Sequence, residues 1–286
     1  MRFAEELHRH TRPLPGPGEQ AVRTIAPAPL AELAGRFGLS LREAEVRAIE
    51  EHVLPERYLR NLGLFGWEGQ RRLLEACVAV VGCGGLGGYV IEGLARSGVG
   101  RLIVIDGDTF APHNLNRQLL SSLAALGRPK VEVARQRVGE VNPAVEVQAY
   151  PVVATADTLP GLLEGAQVVV DALDTPRDRL VLQNVAAQLG IPLVHGAIAG
   201  ALGQVTTVFP GDGTLTALYG GDPTLERGAE ALLGTPAMTP MLVAACQVGE
   251  VLKLLLQWGQ PLRGRLLYLD LESGVIEQFR LGQSRG

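Results

Sequence analysis

The densest chemistry in the chain lies in one run, Gly82-Cys83-Gly84-Gly85-Leu86-Gly87, with Asp106 about 20 residues beyond it. A G-x-G-x-x-G spacing set between a strand and a helix brings backbone up to phosphate. Gly82 permits the tight turn, Gly84 a close approach, and Gly87 tight packing of helix on strand, with Gly85 in the same loop. The N-terminus of the following helix offers unpaired N–H groups to an anion. Asp106 is placed to accept hydrogen bonds from a ribose. These residues imply a nucleotide and leave NAD and ATP both open.

The next run separates the two. Asp106-Gly-Asp108-Thr-Phe-Ala-Pro-His-Asn114-Leu-Asn-Arg117-Gln118 is followed by Gly127-Arg128-Pro129-Lys130, and later by a D-x-x-D pair, Asp171 and Asp174. With Arg57-Tyr58-Leu59-Arg60 and a G-x-x-G-Q segment from Gly66 to Gln70, the chain resembles the ThiF/MoeB/HesA family, bacterial relatives of ubiquitin-activating enzymes. The resemblance runs over about residues 56 to 281, and an NAD enzyme has no reason to keep those basic residues there.

The resemblance implies ATP-dependent adenylation of a carboxylate. The acyl oxygen attacks the α-phosphate while pyrophosphate leaves, so charge gathers on the β- and γ-phosphates and calls for cations already in place. Arg117, a planar fork, and Lys130, a point charge, suit that role. Asn114 and Gln118 can orient phosphate oxygens without adding charge. Asp174 at a strand end can hold Mg²⁺ together with phosphate oxygens, although an Asp before Pro176 can also merely cap the next helix. Asp108 either assists the metal or fixes its loop. His195 reads better as a hydrogen-bonded structural histidine than as part of the carboxylate channel. No covalent nucleophile is required.

By the same resemblance, the substrate is a small ubiquitin-like sulfur carrier of the MoaD/ThiS type ending in Gly-Gly. Arg60 reaches into the other subunit of a homodimer, and a separate protein supplies sulfur. Many relatives hold a structural zinc through two C-x-x-C pairs, or use a cysteine to capture the activated carrier. Cys77, Cys83 and Cys246 form no such pair, so neither zinc nor a covalent cysteine step is expected. Thr175 and Gln183 stand where the family usually has Asn. The rival readings are an NAD(P)-dependent oxidoreductase, adenylation of another carboxylate or of a tRNA base, and an interaction module with a vestigial nucleotide site. The motifs do not choose between molybdopterin, thiamin and other pathways.

Positioning these residues takes a sheet. Short continuous apolar runs at 77–81, 101–105, 145–150, 166–172 and 192–196 read as strands buried on both faces, with helices at 87–97, 129–141 and 176–189 as right-handed crossovers. Residues 203–209 read as a further strand, 239–257 as an apolar helix, and 265–281 as a hairpin around Ser273-Gly274. The expected fold is α/β, a Rossmann-like three-layer fold with a mixed sheet, parallel in its N-terminal half and antiparallel in its C-terminal half. A Gly-rich loop at 210–237 is expected to arch over the substrate tail.

Ahead of this domain, at 56–286, residues 1–55 read as a flexible lead-in and a small helical extension. Five prolines between 11 and 29 argue against regular structure there, and two short helices follow from Leu30 to about Val53, broken at Gly38 with Ser40 capping the second. Helix-turn-helix also describes a DNA-binding motif, but Glu43, Glu45, Glu50 and Glu51 would repel phosphates.

Of 286 residues, 47% are hydrophobic and 20% charged, which excludes disorder and supports a sizeable core. A net charge of -4 provides no global basic field, so nucleic acid and anionic membrane are not expected partners. No segment is read as the roughly 20-residue apolar span of a membrane helix or as a signal-peptide core, and three scattered cysteines suit a reducing cytoplasm.

Overall fold

The computed structural model describes residues 2–220 and 228–281. In chain order the N-terminal part holds α1 (Phe3–Arg9), β1 (Arg12–Pro15), β2 (Ala21–Ile25), α2 (Pro27–Phe37), α3 (Leu41–Glu50), β3 (Leu54–Pro55) and α4 (Leu62–Glu75). The central part alternates β4 (Cys77–Val81), α5 (Gly85–Ser97), β5 (Arg101–Ile105), α6 (Lys130–Val141), β6 (Glu146–Tyr150), α7 (Leu159–Leu162), β7 (Val168–Asp171) and α8 (Pro176–Gln188). The last part is β8 (Leu193–Ala199), β9 (Leu202–Val208), α9 (Thr214–Tyr219), α10 (Glu230–Leu233), α11 (Met238–Leu256), β10 (Arg265–Asp270) and β11 (Val275–Arg280).

Eight strands form one sheet in the order β11-β10-β9-β8-β7-β4-β5-β6. β6, β5, β4, β7 and β8 are mutually parallel, and β9, β10 and β11 continue antiparallel. The mixed sheet expected from the sequence is present, and alternation along β4 explains its three layers. Val78 and Val80 face the core made with α5, α6 and α11, while Cys77, Ala79 and Val81 face the one made with α7, α8 and α9. β4 is neighbour to both β5 and β7, so the chain reverses direction across the sheet between β4 and β7. Ligands in such sheets bind outside the strand ends at that point.

The lead-in expected to be flexible is a correction. Residues 12–15 and 21–25 pair as an antiparallel hairpin, Arg12 opposite Thr24 and Pro15 opposite Ala21, and β2 runs parallel to β3. Proline is compatible with an edge strand, where no ladder donor is needed, and β1 is the edge. Arg12 locks the hairpin to the chain beyond it through two hydrogen bonds to Glu56, at 2.6 and 2.7 Å. The two following helices fall where expected: Gly38 ends α2 in the left-handed conformation, and Ser40 starts α3 with a capping box to Glu43. Phe3, Leu7, Leu30, Leu33, Ala44 and Ala48 give this extension a core of its own.

Glu45 departs from the expected acidic face. It is fully buried, takes a hydrogen bond of 2.7 Å from the Tyr58 hydroxyl, and has Arg57 at 3.3 Å. A second correction concerns 210–237, which is not a plain loop: α9 and α10 occur in it, and residues 221–227, Gly221 included, lie outside the described residues. Positive φ at Gly213 and Gly220 bounds α9, and its buried Leu215 joins the α7/α8 core. Helix α11 is long and apolar enough by length and composition alone to cross a membrane, but its Val243, Ala244, Val251 and Leu252 belong to the core under the sheet.

Candidate active site

A cavity of about 520 Å³ opens outside the ends of β4, β5 and β7. Gly82, Gly84, Gly85, Asp106, Asp108, Arg117, Gln118, Lys130 and Asp174 all line it, so distant stretches of sequence meet at one place. The glycines are required by space. Gly82 has φ +97°, and a Cβ there would stand 2.5 Å from the Ala172 carbonyl oxygen; one on Gly87 would stand 1.8 Å from the Gly82 carbonyl oxygen. At Gly84 and Gly85 the nearest protein atoms would be 3.5 and 3.7 Å away, which leaves those two positions open towards the cavity.

The charged side chains divide into those already paired and those left open. Asp106 accepts from the backbone N–H of Cys83 at 2.7 Å and of Asp108 at 2.8 Å. Burial pushes its carboxyl above the usual range, against the pull of Lys130. Lys130 is buried, with Nζ 2.8 Å from Asp108 and 4.0 Å from Asp106. Asp108 therefore holds the lysine across its loop. Among the described residues Arg117 donates only to neutral oxygens, the His113 carbonyl and the Asn116 side chain, at 3.0 and 2.9 Å. Its charge remains available to an anion. Buried Gln118 has an amide oxygen without a hydrogen-bond partner among the described residues, as expected of a group that waits for a ligand.

Asp174 is exposed at the cavity wall just past β7, and Thr175 takes the helix-capping position instead, accepting from the Asp178 N–H at 3.2 Å. The cap alternative for Asp174 is thereby removed. Among the described residues no cluster of three or more His, Cys, Asp or Glu side chains could hold a metal by itself. An exposed carboxylate facing a phosphate-sized space fits Mg²⁺, which keeps waters and phosphate oxygens among its ligands.

Three expected residues do not line the cavity. Asn114 is buried, and its side-chain oxygen accepts from the Ala111 N–H at 2.9 Å, so it shapes the turn that presents Arg117 and Gln118. Gly87 acts through packing alone. Arg60 is exposed after the short turn Glu56–Tyr58 and outside the cavity of its own chain.

Residues 58–285 match the ThiF family. The chain belongs to that family. Its sequence is 41% identical over 227 residues to the SAMP-activating enzyme E1 of Haloferax volcanii, covering 78% of this chain and 83% of that one. It is 39% identical over 226 residues to the sulfur carrier protein adenylyltransferase of Thermus thermophilus, covering 75% and 83%. The molybdopterin-synthase adenylyltransferase of Salmonella typhimurium is 33% identical over 239 residues, covering 80% and 94%. Among solved structures, PaaA superposes with a TM-score of 0.67 at 21% identity over 79% of this chain and 82% of that chain. Escherichia coli MccB with ATP gives 0.65 at 22% over 80% and 72%, so both share the fold.

Within this ThiF-family chain the three cysteines carry no zinc pair. Burial raises the Cys77 and Cys246 thiols and raises Cys83 strongly, the opposite of a reactive thiolate. His195 is fully buried and bonded to Asp171 at 2.7 Å, a structural histidine. Gln183, one of the family departures, accepts from the Leu215 N–H at 2.6 Å and donates to Thr216 at 3.1 Å, and so ties α9 to α8. The sequence reading missed Arg179, Tyr219 and Glu230. Arg179 lies one helical turn past the cap residue Thr175, which sets it on the cavity side of α8, and that spacing was a readable signal. Tyr219 and Glu230 sit in a segment read from the sequence only as a Gly-rich loop.

Proposed function

We propose that the chain is an ATP-dependent adenylyltransferase that activates the C-terminal glycine carboxylate of a small ubiquitin-like sulfur carrier as acyl-adenylate. The observation that carries this is the meeting, at the β4/β7 switch point, of a glycine-rich loop, the cations Arg117 and Lys130, and the exposed carboxylate of Asp174 in one cavity. The relatives named for activating SAMP, sulfur carriers and molybdopterin synthase supply the substrate class. A carboxylate oxygen bonds to the α-phosphorus, the bond from that phosphorus to the β-phosphate oxygen breaks, and pyrophosphate departs. Arg117 and Lys130 face the charge that this leaves on the departing phosphates. Asp174 would hold Mg²⁺, which when bound neutralises phosphate charge.

A second cavity of about 210 Å³, lined by Ala197, Ile198, Ala199, Leu202, Tyr219 and Tyr268 among others, adjoins the first along the sheet. An extended Gly-Gly tail enters there beside Tyr219 and Glu230, where a narrow channel brings its carboxylate towards the phosphate cavity. With all three thiols held protonated by burial, a different protein supplies sulfur. Arg60 works across a homodimer, and residues 1–55 form an extension to the adenylating domain at 56–286.

The test is ATP–pyrophosphate exchange with a panel of small carriers ending in Gly-Gly. Exchange that needs both carrier and its free carboxylate is the expected result. Tight NAD binding without ATP binding would instead favour an oxidoreductase, and ATP binding without exchange on any carrier would favour an interaction module.

A further inference from the structure

The two cavities share a wall made by Arg179, Ile198 and Glu230, which line both. Arg179 is 6% exposed. Its Nε and Nη2 donate to the Leu173 carbonyl at 3.2 and 2.8 Å, and Nη1 donates to the Tyr219 hydroxyl at 2.8 Å. A guanidinium has five N–H groups, so one on each terminal nitrogen is unspent. No carboxylate stands within ion-pair distance among the described residues; Asp171 and Glu230 act on it only through space. Among the described residues, then, this buried cation has no directly paired counter-ion, and its remaining N–H groups and charge can serve an anion brought to the shared wall.

Arg179 is also held in place. Tyr219, besides accepting from it, accepts from Gln204 at 2.9 Å and donates to His195 Nε2 at 3.1 Å. The other ring nitrogen of His195 donates to Asp171 at 2.7 Å, and Asp171 accepts from the Leu173 N–H at 3.0 Å. Leu173 is thus gripped at its N–H by Asp171 and at its carbonyl by Arg179, which closes a ring of five residues around the wall. Burial lowers the His195 pKa and keeps the ring neutral, as an acceptor nitrogen facing Tyr219 requires.

We propose that Arg179 receives the carboxylate to be adenylated, and that Tyr219, His195 and Asp171 are positioning residues that aim its two free N–H groups. The assignment rests on the adenylation reading. A carboxylate that advances on a triphosphate is repelled by it, and a planar fork between the tail cavity and the phosphate cavity both neutralises and orients it. Once the acyl–phosphate bond forms, that oxygen no longer carries a full charge. Arg179 therefore acts mainly on binding of the carrier.

The experiment compares a carrier that supports exchange with the same carrier amidated at its C-terminus, by calorimetry in the presence of a non-hydrolysable ATP analogue. Amidation is expected to weaken binding to the wild type at least tenfold. On Arg179→Gln, carrier and amide should bind alike, with ATP affinity within twofold of the wild type. Arg179→Lys, which keeps the charge but not the fork, should retain part of the discrimination. Tyr219→Phe should raise the KM for carrier several-fold and leave kcat and the KM for ATP nearly unchanged. If amidation costs Arg179→Gln as much as it costs the wild type, the carboxylate is held elsewhere. Equal losses of ATP and carrier affinity would reduce Arg179 and Tyr219 to props of the wall. No exchange by the wild type on any carrier would remove the adenylation reading and this assignment together; normal exchange with an unaltered Arg179→Gln would remove the assignment alone.

Discussion

Lys130 and Arg117 approach the same task from different starting points. Lys130 is buried and anchored to Asp108, so its position is set before any ligand arrives, whereas Arg117 is half-exposed and rests on neutral oxygens. A preorganised cation contributes more to a developing charge than one that must be recruited, and removing such a donor costs about 3 kcal/mol, roughly a hundredfold in rate. Lys130→Ala should show at least that loss in carrier-dependent exchange, and Arg117→Ala a similar or smaller one, with circular dichroism unchanged in both. Wild-type exchange in Lys130→Ala would break the link between this cavity and the reaction. Both residues were legible because N-L-x-R-Q and G-R-P-K name them directly. Arg179 was not singled out: its spacing from Thr175 fixes its face of α8, but what that face meets is set only once α9 and β8 are in place.

Elements were legible in proportion to how continuously they are buried. β4, with all five residues buried, reads as an unbroken apolar run, and the sheet around it follows. The β1–β2 hairpin does not, because its prolines carry a breaker signal while its pairing partner and the Arg12–Glu56 lock lie elsewhere in the chain. Helix α3 was found as an element but not as a docking device, which depends on Glu45. Burial pushes the Glu45 carboxyl from 4.5 up to about 7, against the opposing pull of Arg57 and the Tyr58 hydroxyl. The folded state then holds this proton more tightly than the unfolded chain. Stability contributed at low pH is lost as pH rises from about 4.5 to about 7, amounting to about 3 kcal/mol. Urea unfolding at pH 5 and pH 8 should show the wild type losing about that much more than Glu45→Gln. Identical pH dependence in the two proteins would mean that Glu45 titrates normally.

At the scale of the molecule, the puzzle is Arg60. The same segment carries Tyr58 and Arg57 into the junction with α3 and α6, where Asn142 donates to the Tyr58 hydroxyl at 2.9 Å. Its next turn leaves Arg60 exposed and away from the cavity of its own chain. A rigidly rooted segment that ends in an exposed arginine is suited to act on a second copy. Leu115, Leu119 and Leu123, exposed on the chain stretch that carries Arg117, offer apolar surface for such a copy to cover. Arg60→Ala and Asp174→Ala should each abolish exchange as homodimers. Mixed and allowed to reassociate, they form heterodimers in which one cavity keeps its own Asp174 and receives Arg60 from the other subunit. Random mixing then restores about a quarter of wild-type activity, since half of the dimers are mixed and half of their cavities are intact. If Arg60 served its own chain, every cavity in the mixture would lack one group and activity would stay at the level of the separate variants. Sedimentation at the assay concentration, run alongside, shows whether the dimer on which the argument depends is present.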